Sequence, residues 1–224
     1  MSKTAKFLSS SVGRKVTMAL SGLFLCSFLV VHLIINLFAL KVKSDNGAEF
    51  DLYAHFMATH PLIRPLEWIL FGGFLLHAVL GMYLFLLNRK ARPVGYEVNK
   101  ANENSSWISR LAWLTGVFVG VFLVVHVRTF FVRSRSFFGN PPIDGRPMIE
   151  LIKDAFGNPM YVAFYMVALV FLAYHLKHGF QSAFQTFGLR VGKFEKLINA
   201  VGAIFWLVIP IAFAIIPLYF LFAL

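Results

Sequence analysis

Four of the seven histidines in this chain, His32, His77, His126 and His175, lie inside long apolar runs. An imidazole in hydrocarbon is costly unless it bonds to something, so each is a candidate for function. Two of them share a context: Gly22 to His32 and Gly116 to His126 both read G-x-F-x-x-x-F-L-V-V-H. The other two share another, His77-x-x-x-Gly81 and His175-x-x-x-Gly179. For one such residue an interhelical hydrogen bond is the ordinary explanation. Four, matched two by two, point to two opposed pairs of metal ligands. Two imidazoles facing each other across a bundle are the axial set of a six-coordinate b-type haem, whose porphyrin supplies four equatorial nitrogens. With both axial positions filled, the iron has no open site, and the chemistry left to it is electron transfer. A flat macrocycle also needs small residues beside its ligands, which Gly73, Gly81 and Gly179 supply.

The elements that must position these residues are apolar throughout. Of 224 residues, 58% are hydrophobic and only 14% charged, with mean hydropathy +0.72. The expected fold is an all-α integral membrane protein in one membrane domain, 1–224. Five transmembrane helices are expected, at about residues 16–40, 65–88, 107–132, 159–187 and 194–222, each long enough for a hydrocarbon core of about 30 Å. The first run is too long for a signal-peptide core and lacks a clear cleavage site, so it reads as a retained span. Pro65 and Pro159 suit helix starts, and Pro210 and Pro217 should kink the fifth span. The single Cys26 excludes internal disulfides, thiolate-bound clusters and CxxCH haem attachment.

Charge sets the orientation. The N-terminus, the 89–110 region and the 190–196 region hold twelve Lys/Arg and three acids, while the opposite side holds eight and seven. The first side is therefore cytoplasmic, which places the N-terminus inside and the C-terminus outside. The formal net charge of +11 reads as topology plus an anionic lipid face, with no nucleic-acid partner implied. In this orientation His32 and His126 lie about 10–12 Å below the outer face, and His77 and His175 about 18–24 Å below it. The residues thus form two layers roughly 10 Å apart, an outer pair His32/His126 and an inner pair His77/His175.

The segments "ALSGLFLCSFLVVHL", "HPLIRPLEW…HAVLGMY", "FLVVHVRTFF" and "YHLKHGFQSAFQTFG" resemble the two-haem cytochrome b membrane-anchor subunits of succinate dehydrogenases and fumarate reductases. The resemblance covers nearly the whole chain. It implies two haem b, the distal one held by His32 and His126 and the proximal one by His77 and His175. It implies an iron–sulfur subunit and a flavoprotein on the cytoplasmic face of a bacterial inner membrane, and electron exchange with a quinone, menaquinone being the expected form. The family's ligand precedes a glycine by four residues, which selects His175 over His178; His178 is left to a propionate or the proximal interface. Some fumarate reductase members carry a glutamate for proton transfer where this chain has Ala173.

Around these ligands the assignments rest on charge and depth. Arg14, Arg128 and Lys177 are candidates for haem propionates. The loop after the first span is rich in titratable groups, of which Asp51, His60 and Glu67 are the quinone and proton candidates near the outer layer. Ser21, with Arg14, could line a second quinone site at the inner end of the first span. The chain has no motif for flavin, iron–sulfur or dicarboxylate, so it is not expected to act on dicarboxylates alone. Two other readings compete. The cytochrome b anchor of a hydrogenase or formate dehydrogenase is one, but it does not usually place one ligand on each of the first four spans. A cation transporter is the other, but no Asp or Glu lies well inside a span.

Overall fold

The computed structural model describes residues 9–91, 110–135 and 145–223. Five helices within it are long and apolar enough to cross a membrane: α1 (Ser11–Asp45), α3 (Ile63–Lys90), α4 (Ala112–Ser134), α6 (Pro159–Thr186) and α7 (Lys193–Phe222). The chain is a multi-pass helical membrane protein, and these spans lie close to those expected from hydropathy. Much of the basic 89–110 region, and the start of the third span expected from 107, fall outside the described residues.

The helix ends follow from local chemistry. Ser10 accepts from Gly13 N–H to cap α1, and Asn158 accepts from Met160 and Tyr161 N–H to cap α6, with Pro159 as its first residue. Helix α1 tightens to a 3₁₀ turn at Phe38–Lys41 and ends at Asn46 and Gly47, both left-handed. A Cβ on Gly47 would come within 2.4 Å of Ile149 Cγ1, so glycine is required there for packing as well as for backbone conformation. Helix α7 meets Pro210 with a π turn at Ile204–Val208. Proline cannot donate to the carbonyl of Trp206 and its ring crowds it, and one wider turn absorbs the conflict.

Two shorter helices had no counterpart in the sequence reading, which took both outer segments as loops: α2 (Ala48–Thr59) and α5 (Met148–Phe156). Helix α5 buries Leu151 and, on one face, Ile149, Ile152 and Phe156. The latter three join Ala39, Val42 and Phe50 from the far end of α1 and from α2, with Val162, Tyr165, Ile216 and Phe220 from α6 and α7. Among the described residues this buried cluster therefore forms a cap at one end of the bundle, beyond His32 and His126. Helix α6 is the central element, packing against α1, α4 and α7, while α1 also packs on α3.

Asp51 belongs to this cap. Its Oδ1 accepts from Ile149 N–H at 2.9 Å, satisfying a free amide at the start of α5 from another element. Burial raises the Asp51 pKa, and the hydrogen bonds from Ile149 and Met148 oppose that shift. A raised folded-state pKa makes this carboxyl's contribution greatest at low pH, lost as pH rises through the folded value. Asp51→Ala should destabilise the cap by about 1 kcal/mol and speed hydrogen exchange at Ile149. Asp51→Asn keeps an acceptor without a charge and should retain protection at neutral pH; equal loss in both variants would contradict the capping role.

Candidate functional site

The chain brings the four membrane histidines together as two opposed pairs. His32 of α1 faces His126 of α4 with ring centroids 5.7 Å apart and planes at 86°. His77 of α3 faces His175 of α6 at 6.1 Å and 78°. His175 is thus the residue opposite His77, and His178 is one turn further on.

The repeated motif now has a physical reading. Its second phenylalanine lies four residues before its histidine, one helical turn away on the same face. Phe28 stacks on His32 at 5.3 Å, and Phe122 packs on His126 at 5.6 Å. Its glycine serves the other pair. A Cβ on Gly22 would lie 3.2 Å from His77 Cε1, and one on Gly116 would lie 3.4 Å from His175 Cε1. Each imidazole of the inner pair therefore sits against a glycine on the preceding span. Gly22 and Gly116 each precede the motif's histidine by ten residues, a rise of about 15 Å, so the layers are further apart than the rough sequence estimate.

Three of the four rings are engaged at Nδ1. Ser21 Oγ lies 3.0 Å from His77 Nδ1, Tyr165 Oη 2.8 Å from His126 Nδ1, and Asn36 Nδ2 3.3 Å from His32 Nδ1. Tyr161 Oη is in turn 3.4 Å from Tyr165 Oη, extending the chain from His126 toward the outer end of α6. No hydrogen bond among the described residues reaches Nε2 of these four rings. Nor do the described residues contain a group of three or more His, Cys, Asp or Glu placed to hold a metal. A pair of nitrogen donors suits a group that brings its own equatorial ligands. Two metal–imidazole bonds of about 2 Å each, with the ring radii added, match the observed separations. The donor set fits a haem at either pair.

The supporting residues divide differently from the sequence reading. Gly22 and Gly116 stand against the inner imidazoles. Of the glycines singled out earlier, Gly73 faces Phe24, Gly81 faces Met18 and Gly179 has no neighbour within 4 Å of a built Cβ. The signal for Gly22 and Gly116 was present, since both open the repeated motif, but sequence spacing does not say which helix a glycine faces. Tyr165 could not have been singled out, being one of seven tyrosines with no motif around it. Lys177 Nζ lies 4.4 Å from the Trp206 ring centre, a cation–π contact to α7. Arg14 donates to Ser9 O at 2.6 Å and lies 5.8 Å from the Tyr83 ring centre. Arg128 is exposed, in a π turn at Val127–Phe131 that follows His126 directly. No hydrogen bond or ring contact among the described residues joins Arg14, Arg128, Lys177 or His178 to either pair.

The quinone candidates separate likewise. Asp51 caps α5, and His60 Nδ1 accepts from Leu62 N–H at 3.3 Å. Ser21 is buried against His77 and not at an open inner site. Glu67 alone of these borders a cleft of about 220 Å³, lined by Arg64, Trp68, Phe71, Val127, Phe131 and Val132. Its carboxylate is held by Arg64 at 3.0 Å and Arg135 at 2.9 Å. Burial lowers the Arg135 pKa, and Glu67 opposes that shift. The cleft lies between α3 and the π turn of α4, just beyond His126.

Comparison with curated proteins gives the site a counterpart. The chain resembles a succinate dehydrogenase cytochrome b subunit. The relative is the succinate dehydrogenase cytochrome b558 subunit of Bacillus subtilis (strain 168), 28% identical over 167 residues, which cover 73% of each chain. No family model matches this sequence, and no solved structure matches it. The likeness agrees with the anchor-subunit resemblance read from the histidine motifs.

The glycine contacts make a specific demand. Gly22→Leu or Gly116→Leu should displace the facing imidazole and lower the haem content of the purified protein. Gly120→Leu, at a position with nothing within 4 Å of a built Cβ, should leave it unchanged. Undiminished haem in the Gly22 and Gly116 variants would contradict the packing described.

Proposed function

We propose that the chain is the membrane-anchor cytochrome b subunit of a succinate:quinone oxidoreductase in a bacterial cytoplasmic membrane, forming a single membrane domain. The observation that carries this reading is the pair of opposed imidazole sets with Nε2 unengaged, on a chain similar to a subunit of that name. When bound, two b haems supply one-electron carriers at two depths. His32 and His126 would hold the outer one, and His77 and His175 the inner one. Glycines at the inner pair and phenylalanines at the outer pair keep water from the rings.

The partners follow from what the chain lacks. With no flavin, iron–sulfur or dicarboxylate motif, it depends on an iron–sulfur subunit and a flavoprotein, docked on the basic cytoplasmic side. The inner pair is nearer that side, so a haem held there would be the first acceptor from the iron–sulfur subunit. The outer pair adjoins the Glu67 cleft, where Trp68, Phe71 and Phe131 offer aromatic walls and Glu67 a proton-handling group. A quinone, menaquinone in this reading, fits there because its ring is flat and its reduction takes up two protons with two electrons. Ala173 brings no carboxylate to a compensating proton path. Electron flow from succinate outward therefore moves net charge across the membrane.

Pyridine haemochrome should give about two haems per chain, all extractable by acid–acetone, since two pairs are present and the sequence has no CxxCH. Replacing His32 or His126 should remove one spectral component, replacing His77 or His175 the other, and His178→Ala neither. A single haem, or loss of one shared component from His32 and His77 variants, would refute the assignment.

In sealed vesicles carrying the complex, a protonophore should slow succinate-to-quinone transfer markedly. Glu67→Gln should lower quinone turnover by about a hundredfold, the low end for losing a proton-transfer group, with both haems retained. Unchanged rates in both experiments would remove the quinone from the outer cleft.

A further inference from the structure

Ser21 and Thr115 are the two buried polar side chains among the described residues, 7% and 5% exposed. Both stand directly before the glycine of the repeated motif, and both donate to the carbonyl three residues back. Ser21 Oγ reaches Met18 O at 3.0 Å and Thr115 Oγ1 reaches Ala112 O at 2.8 Å. Each hydroxyl–glycine step therefore lies on the span facing one imidazole of the inner pair, through the Gly22–His77 and Gly116–His175 contacts. At Ser21 the hydroxyl also contacts the ring, 3.0 Å from His77 Nδ1. A serine hydroxyl has one proton and two lone pairs. With the proton directed at Met18 O, the oxygen accepts from Nδ1–H of His77. The ring is then the tautomer whose lone pair is on Nε2, the nitrogen with no hydrogen-bond partner among the described residues. A bond at the far nitrogen decides which ring nitrogen can ligate a metal.

We propose that Ser21 is a positioning residue for His77, fixing its tautomer and ring orientation and raising its basicity toward the haem held with His175. This deepens the reading above and rests on it. Serine at this position leaves the ring a neutral hydroxyl acceptor, so His77 keeps its Nδ1 proton while gaining electron density at Nε2. Greater basicity favours ferric over ferrous iron, so removing the acceptor should raise the midpoint potential of that haem. The second copy of the motif supplies the conservative variant. Thr115 makes the same backbone bond beside the same glycine, so threonine fits this local backbone.

The test uses the complex purified with its soluble subunits, titrated redox-potentiometrically with visible and EPR detection. In Ser21→Ala, ferric-over-ferrous preference at the inner haem should fall about tenfold, the low end for losing such a partner, which is 59 mV for a one-electron couple. Its low-spin ferric EPR signal should move as the ring is released, and the outer haem should keep its potential. Ser21→Thr should restore both properties. Loss of the inner haem from Ser21→Ala but not from Ser21→Thr would support the role equally. An unchanged inner potential in Ser21→Ala, with both haems present, would overturn the proposal and leave the two-haem reading standing. Loss of the inner haem from both variants would assign the position to space instead of the hydroxyl, and would overturn it too. A wild-type complex with no haem at His77 and His175 would instead sink the reading beneath it.

Discussion

An imidazole cannot be left idle in hydrocarbon, and the architecture follows from meeting that need four times at two depths. Each ring has a partner across the bundle and a wall that excludes lipid, and three of the four have a neighbour at Nδ1. Helix α1 supplies one ring and the support for another, since His32 faces α4 while Ser21 and Gly22 face α3. Helix α4 repeats the arrangement with His126 and Gly116. The two layers are therefore mechanically linked through the same helices. A shift of α1 along its axis would disturb both pairs together.

The outer cap serves this constraint from outside the span. Well-packed side chains are concentrated where α2 and α5 cover the ends of α1, α6 and α7, while the lipid-facing surfaces of α3 and α4 keep large apolar groups exposed. Such exposure is ordinary where the solvent is lipid. The cap fixes the outer ends of α1 and α6, and with them His32 and the Tyr161–Tyr165 chain behind His126.

Much of this was legible in the residues. Long apolar runs report their own length, so the spans emerged nearly complete. The histidine matches emerged because a repeated motif carries its own internal control. What the sequence hid was whatever depends on side chains from distant elements. Asp51 reads as a loop acid until Ile149, 98 residues away, presents its amide. Tyr165 has no motif, and its place behind His126 depends on how α6 crosses α4. Glu67 was visible as a titratable group at a span's end, but its two arginine partners and aromatic cleft are products of packing. Helices α2 and α5 were missed because short segments of 12 and 9 residues between spans do not register against a membrane-length window.

The repeated motif ends in one sequence but continues in two windings. Beyond His32 the chain overwinds into a 3₁₀ turn; beyond His126 it underwinds into a π turn. A 3₁₀ turn is narrow and rises steeply, and a π turn is wide and shifts the angular phase of every later residue. One half of the duplication is thereby screwed tight beneath its cap, and the other is opened toward α3. The pseudosymmetry stops at the imidazoles, so one end of the bundle can specialise on one side without disturbing the histidine pairs that the two halves share.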